Sequence, residues 1–303
     1  MQAALLHLDD ALLDQAKLRR AVTAGGGRML HYRDLGPALR LWSRPAALER
    51  LRRRLEHALP ASFGPTVVFS GSGDFHHITP LLLERALEAA GQPPVTVLHF
   101  DNHPDWVKFS PGAHCGSWVG QAARLPRVAR ILTVGVCSPD IDGPAAKGAD
   151  LQIVEAGQVE VYAYRPCEAV RLCGRSWPTI EAMGETAFAD YLPQRIETEA
   201  VYLTIDKDLL SPTAAGANWD QGCMTVAFLH TLIARAVAGR RLIGADVVGD
   251  WSPATYGGGL VAGLLKRGEA ILDQPWRAPP AASLAANQGV NLGLLDHIRS
   301  VAQ

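Results

Sequence analysis

The chain has 303 residues, of which 48% are hydrophobic and 19% charged, with a net charge of −1 at pH 7. That balance excludes a disordered chain and supplies one large α/β core or two smaller ones. It also gives no broad electrostatic pull towards nucleic acid or an anionic membrane, and no uninterrupted apolar stretch is long enough to span a bilayer.

The opening segment, MQAALLHLDDALLDQAKLRR, mixes charges into its apolar pattern and lacks the layout of a signal peptide. The five cysteines, Cys115, Cys137, Cys167, Cys173 and Cys223, form no CxxC. A reducing, cytoplasmic setting without a disulfide framework or structural zinc knuckle is expected.

Residues 1–60 read as a lead-in with local helices. Within it, Pro45 to Leu59 sets apolar residues against arginines, an amphipathic helix. Thr66 to Ser70 is a short β-type run feeding GSGDFHHITPLLLERALEAAG, a glycine turn and then a helix ending near Gly91. Val95 to Phe100 is an apolar run expected to be a strand buried on both faces. A polar loop and a helical stretch from Val119 to Leu125 come next, then a strand over 129–136. The pattern from Asp140 to Arg195 is weak, with short strands, loops and one helix near Thr179 to Tyr191. Ala200 to Ile205 and Arg241 to Val248 are further buried strands. Cys223 to Val237 is a helix with Thr225 as its N-cap. A last helix is expected over Gly257 to Ile271, and the tail APPAASLAANQ carries few order signals. Strands alternate with helices without a linker or repeat, which predicts one domain over 1–303: a doubly wound parallel sheet with helices on both faces.

Four strands run into acidic or histidine-bearing turns. These turns hold Asp74, His76 and His77; Asp101, His103 and Asp105; Asp206 and Asp208; and Asp246 and Asp250. Alternation along an extended chain would project Asp101, His103 and Asp105 together. Parallel strands present all these ends on one edge, where ligands bind in open α/β sheets. So many carboxylates there repel unless cations sit among them. An oxygen-rich set with few imidazoles suits a two-metal, manganese-type centre better than structural zinc. Two ions about 3.5–4 Å apart make a strong nucleophile of water at neutral pH.

The motifs resemble those of the ureohydrolase superfamily, which includes arginase and agmatinase. GSGDFHH at 71–77 is similar to a GGDHS-like turn, Asp101-Asn102-His103-Pro104-Asp105 to DAHxD, and His114-Cys115-Gly116 to the HG element. Thr204 to Pro212 resembles SxDxDxxDP, GCMT at 222–225 resembles GGLT, and Gly249 to Pro253 falls where a glutamate-bearing motif lies. Order and spacing agree from about 66 to 253, leaving 272–303 as a tail.

The resemblance implies a three-layer α/β/α fold and two Mn2+ ions bridged by Asp101 and Asp206. His76 and Asp105 would complete one site, and His103 and Asp208 the other. The family's histidine falls on either His76 or His77, with His76 favoured because His77 then takes the family's serine position. His114 resembles a proton-shuttle histidine, and Asp250 replaces the glutamate that grips the substrate guanidinium. His99, inside a strand, reads as a core histidine. Thr204 and Ser211 depart from the family's serine and aspartate. The implied activity is hydrolysis of a guanidino group with release of urea, most simply arginine to ornithine, either free or within a peptide. HFDNHPDW and GDFHH look closer to the peptide-arginase branch. An agmatinase-like or other small amidino hydrolase is the alternative, and a catalytically silent metal-binding protein is the rival of another class. Relatives form trimers or hexamers, so a homo-oligomer is consistent with the resemblance.

Overall fold

A computed structural model describes residues 1–275 and 278–302. Eight strands form its main sheet: β1 Gln2–His7, β2 Arg28–His31, β3 Thr66–Phe69, β4 Val95–Phe100, β5 Val128–Val136, β6 Val159–Ala163, β7 Ala200–Asp206 and β8 Arg241–Val248. Their order is β2-β1-β3-β8-β7-β4-β5-β6, and every pairing is parallel. β4 and β7 are buried at every position, as expected for strands covered on both faces.

The longer helices are α1 Ala16–Ala24, α2 Pro45–Ala58, α3 Thr79–Ala90, α4 Val226–Val237, α5 Leu260–Asp273 and α6 Ala281–Val301. Side chains of β1 and β3 divide by alternation between the two faces. Ala4, Leu6 and Val68 pack with Leu51 and Leu55 of α2. Ala3, Leu5, Val67 and Phe69 join the larger core that includes Leu18 of α1, Leu229 of α4 and Leu294 of α6. One doubly wound domain results, with helices on both faces.

Local chemistry sets several boundaries as the sequence predicts. Gly91 ends α3 in the left-handed region at φ 82°, where glycine has no Cβ penalty. Thr225 caps α4, its hydroxyl accepting from the Phe228 N–H. The helix expected near Thr179 to Tyr191 is interrupted at Gly184, whose φ of 79° separates Ile180–Met183 from Glu185–Tyr191.

The two ends of the chain differ from expectation. Residues 1–60 are not only a helical lead-in, because they supply β1 and β2, and β1 lies between β2 and β3. The tail forms the long helix α6, which buries Val290, Leu294, Leu295 and Ile298 together with the polar Asn287 and Asn291. Buried asparagines break the apolar periodicity by which a helix is recognised in sequence.

At the end of β1, His7 is buried and stacked on His31, with ring centroids 4.9 Å apart. Neither of its ring nitrogens has a hydrogen-bond partner. Burial, with His31, Arg19 and Arg33 nearby, pushes its imidazole down to about 4. A base with a depressed native pKa adds stability above its unfolded value of about 6.5, and that contribution is lost as pH falls through about 4. His7→Phe should therefore flatten the stability loss between these pH values, measured by urea unfolding across the range. An unchanged acid slope would show that His7 is not a determinant.

Candidate metal centre and its cavity

β3, β8, β7 and β4 are consecutive neighbours in the sheet, so the four motif-bearing turns meet at the centre of its carboxyl edge. Two of the turns are built alike. The His103 N–H donates to Asp101 Oδ1 at 2.6 Å, and the Asp208 N–H donates to Asp206 Oδ1 at 3.0 Å. Each aspartate thus folds the chain over its own carboxylate. Convergence at 101–105 therefore comes from a turn and not from extended alternation. The turn ends at Asp105, whose φ of 47° lies in the left-handed region. Its carboxylate Oδ2 accepts from Trp118 Nε1–H at 2.6 Å.

Two clusters result, sharing Asp101. The first joins His76, His99, Asp101 and Asp105; the second joins Asp101, His103 and Asp208. In the first, His76 Nδ1 lies 3.1 Å from both Asp101 Oδ2 and Asp105 Oδ2, and 3.7 Å from Asp206 Oδ2. In the second, His103 Nδ1 lies 3.0 Å from Asp208 Oδ2 and 3.5 Å from Asp101 Oδ1.

Hydrogen bonding outside the clusters assigns the imidazole tautomers. Asp246 accepts from the hydroxyls of Thr79, Thr204 and Tyr202 at 3.0, 2.9 and 2.7 Å. The Thr204 hydroxyl proton is thereby used, and its oxygen accepts from His76 Nε2–H at 2.8 Å. His103 Nε2–H donates likewise to Asp220 Oδ1 at 2.9 Å. Both Nδ1 lone pairs then face carboxylate oxygens, and His76 Nδ1 is buried with no hydrogen-bond partner. Lone pairs aimed at anions repel unless a cation lies between them, and an outer acceptor on the second nitrogen is how ligating histidines are oriented. The residues fit a pair of divalent cations.

Without a metal, a proton takes the cation's place: burial disfavours charge on His76, yet bonding to Asp101 and Asp105 outweighs it and raises its pKa well above the ordinary value. Burial and the Asp101 charge push Asp206 up to about 7. Asp206 is also closely walled. A Cβ at Gly73 would lie 2.5 Å from its Oδ2, and one at Gly249 would lie 2.3 Å from its Oδ1. Gly249 has a φ of 91° besides, so glycine alone suits that turn.

The clusters form the floor of an open cavity of about 600 Å³, walled by His114, Trp106, Trp219 and Leu272, with Asp140, Asp220, Asp273 and Lys147 also lining it. His114 Nδ1 accepts from the Gly116 N–H at 2.9 Å, and its Nε2 donates to Glu269 Oε1 at 2.6 Å. Trp42 Nε1–H donates to the other oxygen of Glu269 at 3.0 Å.

Of the residues singled out in the sequence, His76, Asp101, His103, Asp105, Asp206, Asp208 and His114 all line this cavity. His77 does not. It is buried, with both ring nitrogens unpartnered, and burial with the nearby His114 and Lys266 charges drives its pKa well below the ordinary value. The structure turns Asp250 away as well. Its Oδ1 meets Lys207 Nζ at 2.5 Å and Gln15 Nε2 at 2.9 Å, and Asn291 Nδ2 reaches its Oδ2 at 3.0 Å. The buried ammonium claims the carboxylate before any ligand could. His99 is a satisfied core histidine, its two nitrogens meeting Thr133 and Asp101.

Sequence reading missed Glu269, Asp220 and the hydrogen-bonding role of Trp118. Asp220 had one signal, an acid just before the GCMT turn. Glu269 had only its spacing of three from Lys266 in the expected helix.

The Asp250 geometry predicts a stability role. Asp250→Ala leaves the Lys207 ammonium buried without a counterion, at a cost of about 3–5 kcal/mol. Denaturant unfolding of the metal-free protein should register that loss; an unchanged midpoint would contradict it.

Residues 14–255 match the model of the arginase family. An uncharacterized protein of Thermotoga maritima is 24% identical over 202 residues, 67% of this chain and 64% of that protein. The match thus spans less than two thirds of the relative's length. Among solved structures, Entamoeba histolytica arginase in complex with L-ornithine has a TM-score of 0.61 at 12% identity, over 98% of this chain and 97% of that one. Streptomyces clavuligerus proclavaminate amidino hydrolase has a TM-score of 0.54 at 18% identity, over 85% and 71%. A hypothetical agmatinase from Burkholderia thailandensis has 0.55 at 18% identity, over 98% and 86%. These likenesses show a common fold, and with the family match across most of its length the chain belongs to the arginase family.

Proposed function

We propose that the protein is a manganese-dependent hydrolase of a guanidino group, releasing urea and converting arginine to ornithine. The observation that carries this reading is the pair of imidazoles held by outer hydrogen bonds with their Nδ1 atoms facing carboxylates that share Asp101. The names of the structural relatives, arginase, agmatinase and amidino hydrolase, support the same bond type.

In this reading Asp101, Asp206, His76, Asp105, His103 and Asp208 would hold two divalent ions, with His76 and Asp105 in one cluster and His103 and Asp208 in the other. Bound there, the ions supply Lewis-acid polarisation and make water nucleophilic near neutral pH. The acidic cavity draws in the guanidinium and holds it over the clusters. Water adds to the guanidinium carbon, and the bond from that carbon to the alkyl nitrogen breaks. The proton that the attacking water gives up goes to Glu269, which returns it to His114 Nε2 as that nitrogen hands its own proton to the departing amine, so urea and an alkylammonium leave and the pair ends as it began. A positioned acid of this kind contributes about 10²–10⁴-fold. Glu269 fixes the ring, and Trp42 fixes Glu269.

Substrate size and charge follow from the same wall. Among the described residues, Asp140, Asp220 and Asp273 line the cavity with Lys147 as the one lysine or arginine. The carboxylate of free arginine meets mostly like charge there, whereas an arginine side chain in a peptide brings no such group. A guanidine with a second cation, as in agmatine, also suits an acidic wall and is the second reading.

Urea release by the manganese-loaded protein separates these cases. A blocked arginine peptide should exceed free L-arginine in kcat/KM by about 10-fold or more, the size of one lost charge contact. Asp101→Ala should abolish turnover. Agmatine outperforming the peptide would replace the substrate, and no urea from any of the three would end the guanidino reading. Glu269→Gln should lower kcat about 10- to 100-fold, within the range for a positioned acid, with KM for the best substrate little changed. A KM effect alone would make Glu269 a substrate contact instead.

Metal binding is a separate prediction. Mn2+ at about 100 times its Kd should stabilise the fold by about 2.7 kcal/mol, read as a rise in Tm that Asp206→Asn removes. A Tm indifferent to divalent ions would exclude the centre.

A further inference from the structure

Helix α5 is docked the wrong way round for a helix of a monomer. A surface helix ordinarily turns its apolar stripe to the core. Here only Ala262 and Lys266 are buried. Lys266 Nζ donates to the carbonyl oxygens of Ala38 and Pro37 at 2.9 and 3.4 Å and lies 4.7 Å from the centre of the Trp42 ring. Glu269 completes the inward face through His114 and Trp42. The outward face carries Leu260, Val261, Leu264, Leu265, Ile271 and Leu272, each between 53% and 83% exposed.

The pattern of that face is symmetric. Leu264 and Leu265 stand four and three positions before Gly268, and Ile271 and Leu272 stand three and four after it. A Cβ at Gly268 would meet nothing within 4 Å, so the middle of the stripe is bare and open to close approach. An antiparallel pairing of two such helices about Gly268 sets Leu264 opposite Leu272 and Leu265 opposite Ile271, with both copies making the same contacts. That self-complementarity is what a two-fold interface requires. The six side chains expose on the order of 600 Å², at the upper end for the largest patch on a monomer. Two copies would bury on the order of 1,200 Å², enough for a specific interface.

We propose that the outward face of α5 is a two-fold interface with a second copy of this chain, centred on Gly268. Leu272 also walls the cavity, so the contact would reach the cavity mouth. The proposal stands whether or not the guanidino reading does.

Sedimentation of the full chain tests it. At micromolar concentration the native protein should run as an even number of copies of the 32.5 kDa chain. Leu265→Asp and Ile271→Asp should each weaken the association at least 100-fold while leaving circular dichroism unchanged and lowering Tm only by what association itself contributes, because both side chains are exposed in a single copy. Gly268→Cys should give a disulfide-linked dimer under mild copper-phenanthroline oxidation, well above the native background and well above Leu260→Cys. A native monomer, an assembly that survives both aspartate substitutions, or equal cross-linking at positions 260 and 268 would overturn it.

Discussion

Charge crowding at the centre of the sheet edge is the constraint on which the rest of the structure depends. Asp101, Asp105, Asp206 and Asp208 lie at the ends of adjacent strands β4 and β7, all buried. Such a set is tolerable only where positive charge is supplied. The protein prepares for that at several levels. Two aspartates fold their own turns, Gly73 and Gly249 leave Asp206 just enough room, and Trp118 fixes Asp105 from behind. The layer outside is ordered in turn, as Asp246 gathers three hydroxyls so that Thr204 can hold His76 in a single tautomer. Little in this arrangement depends on long flexible side chains, which suits a centre that must be fixed before a ligand arrives.

How much of this was legible in the sequence depended on how local the determinant was. Strands β3, β4, β5, β7 and β8 announce themselves as apolar runs, and the aspartates of the centre sit immediately beyond β4 and β7. Their placement needs only a parallel sheet and a short turn. β1 was hidden because QAALLH, six residues beside further leucines and alanines, carries no turn signal to separate it from a helical pattern. The direction in which Asp250 points was hidden for a different reason. Which way a carboxylate at the end of β8 points is decided by Lys207 on β7's turn and by Gln15 and Asn291 from distant parts of the chain. Glu269 lies outside the motif span, and only the docking of α5 brings it to His114.

The sheet order and its carboxyl edge accompany membership of the arginase family, while the cavity wall formed by α5 rests on polar contacts from Lys266 and Glu269. Among the described residues no helix is long and apolar enough to cross a membrane. A wall held by a few directed bonds shifts more readily than one embedded in a core, because little apolar burial anchors it.

The contact between Asn291 and Gln15 joins positions 276 apart in sequence, and both side chains bond Asp250. A ribosome delivers the chain from its amino end, and domains fold as their last elements emerge. β1 and the strands bearing the centre are therefore made long before α6 can reach them. Until then the Lys207 and Asp250 pair lacks the amide of Asn291, and the edge of the sheet at that corner stays open to water. The last helix thus closes a corner that the first strand opens, and without it Asp250 would keep Lys207 and Gln15 but lose the Asn291 amide.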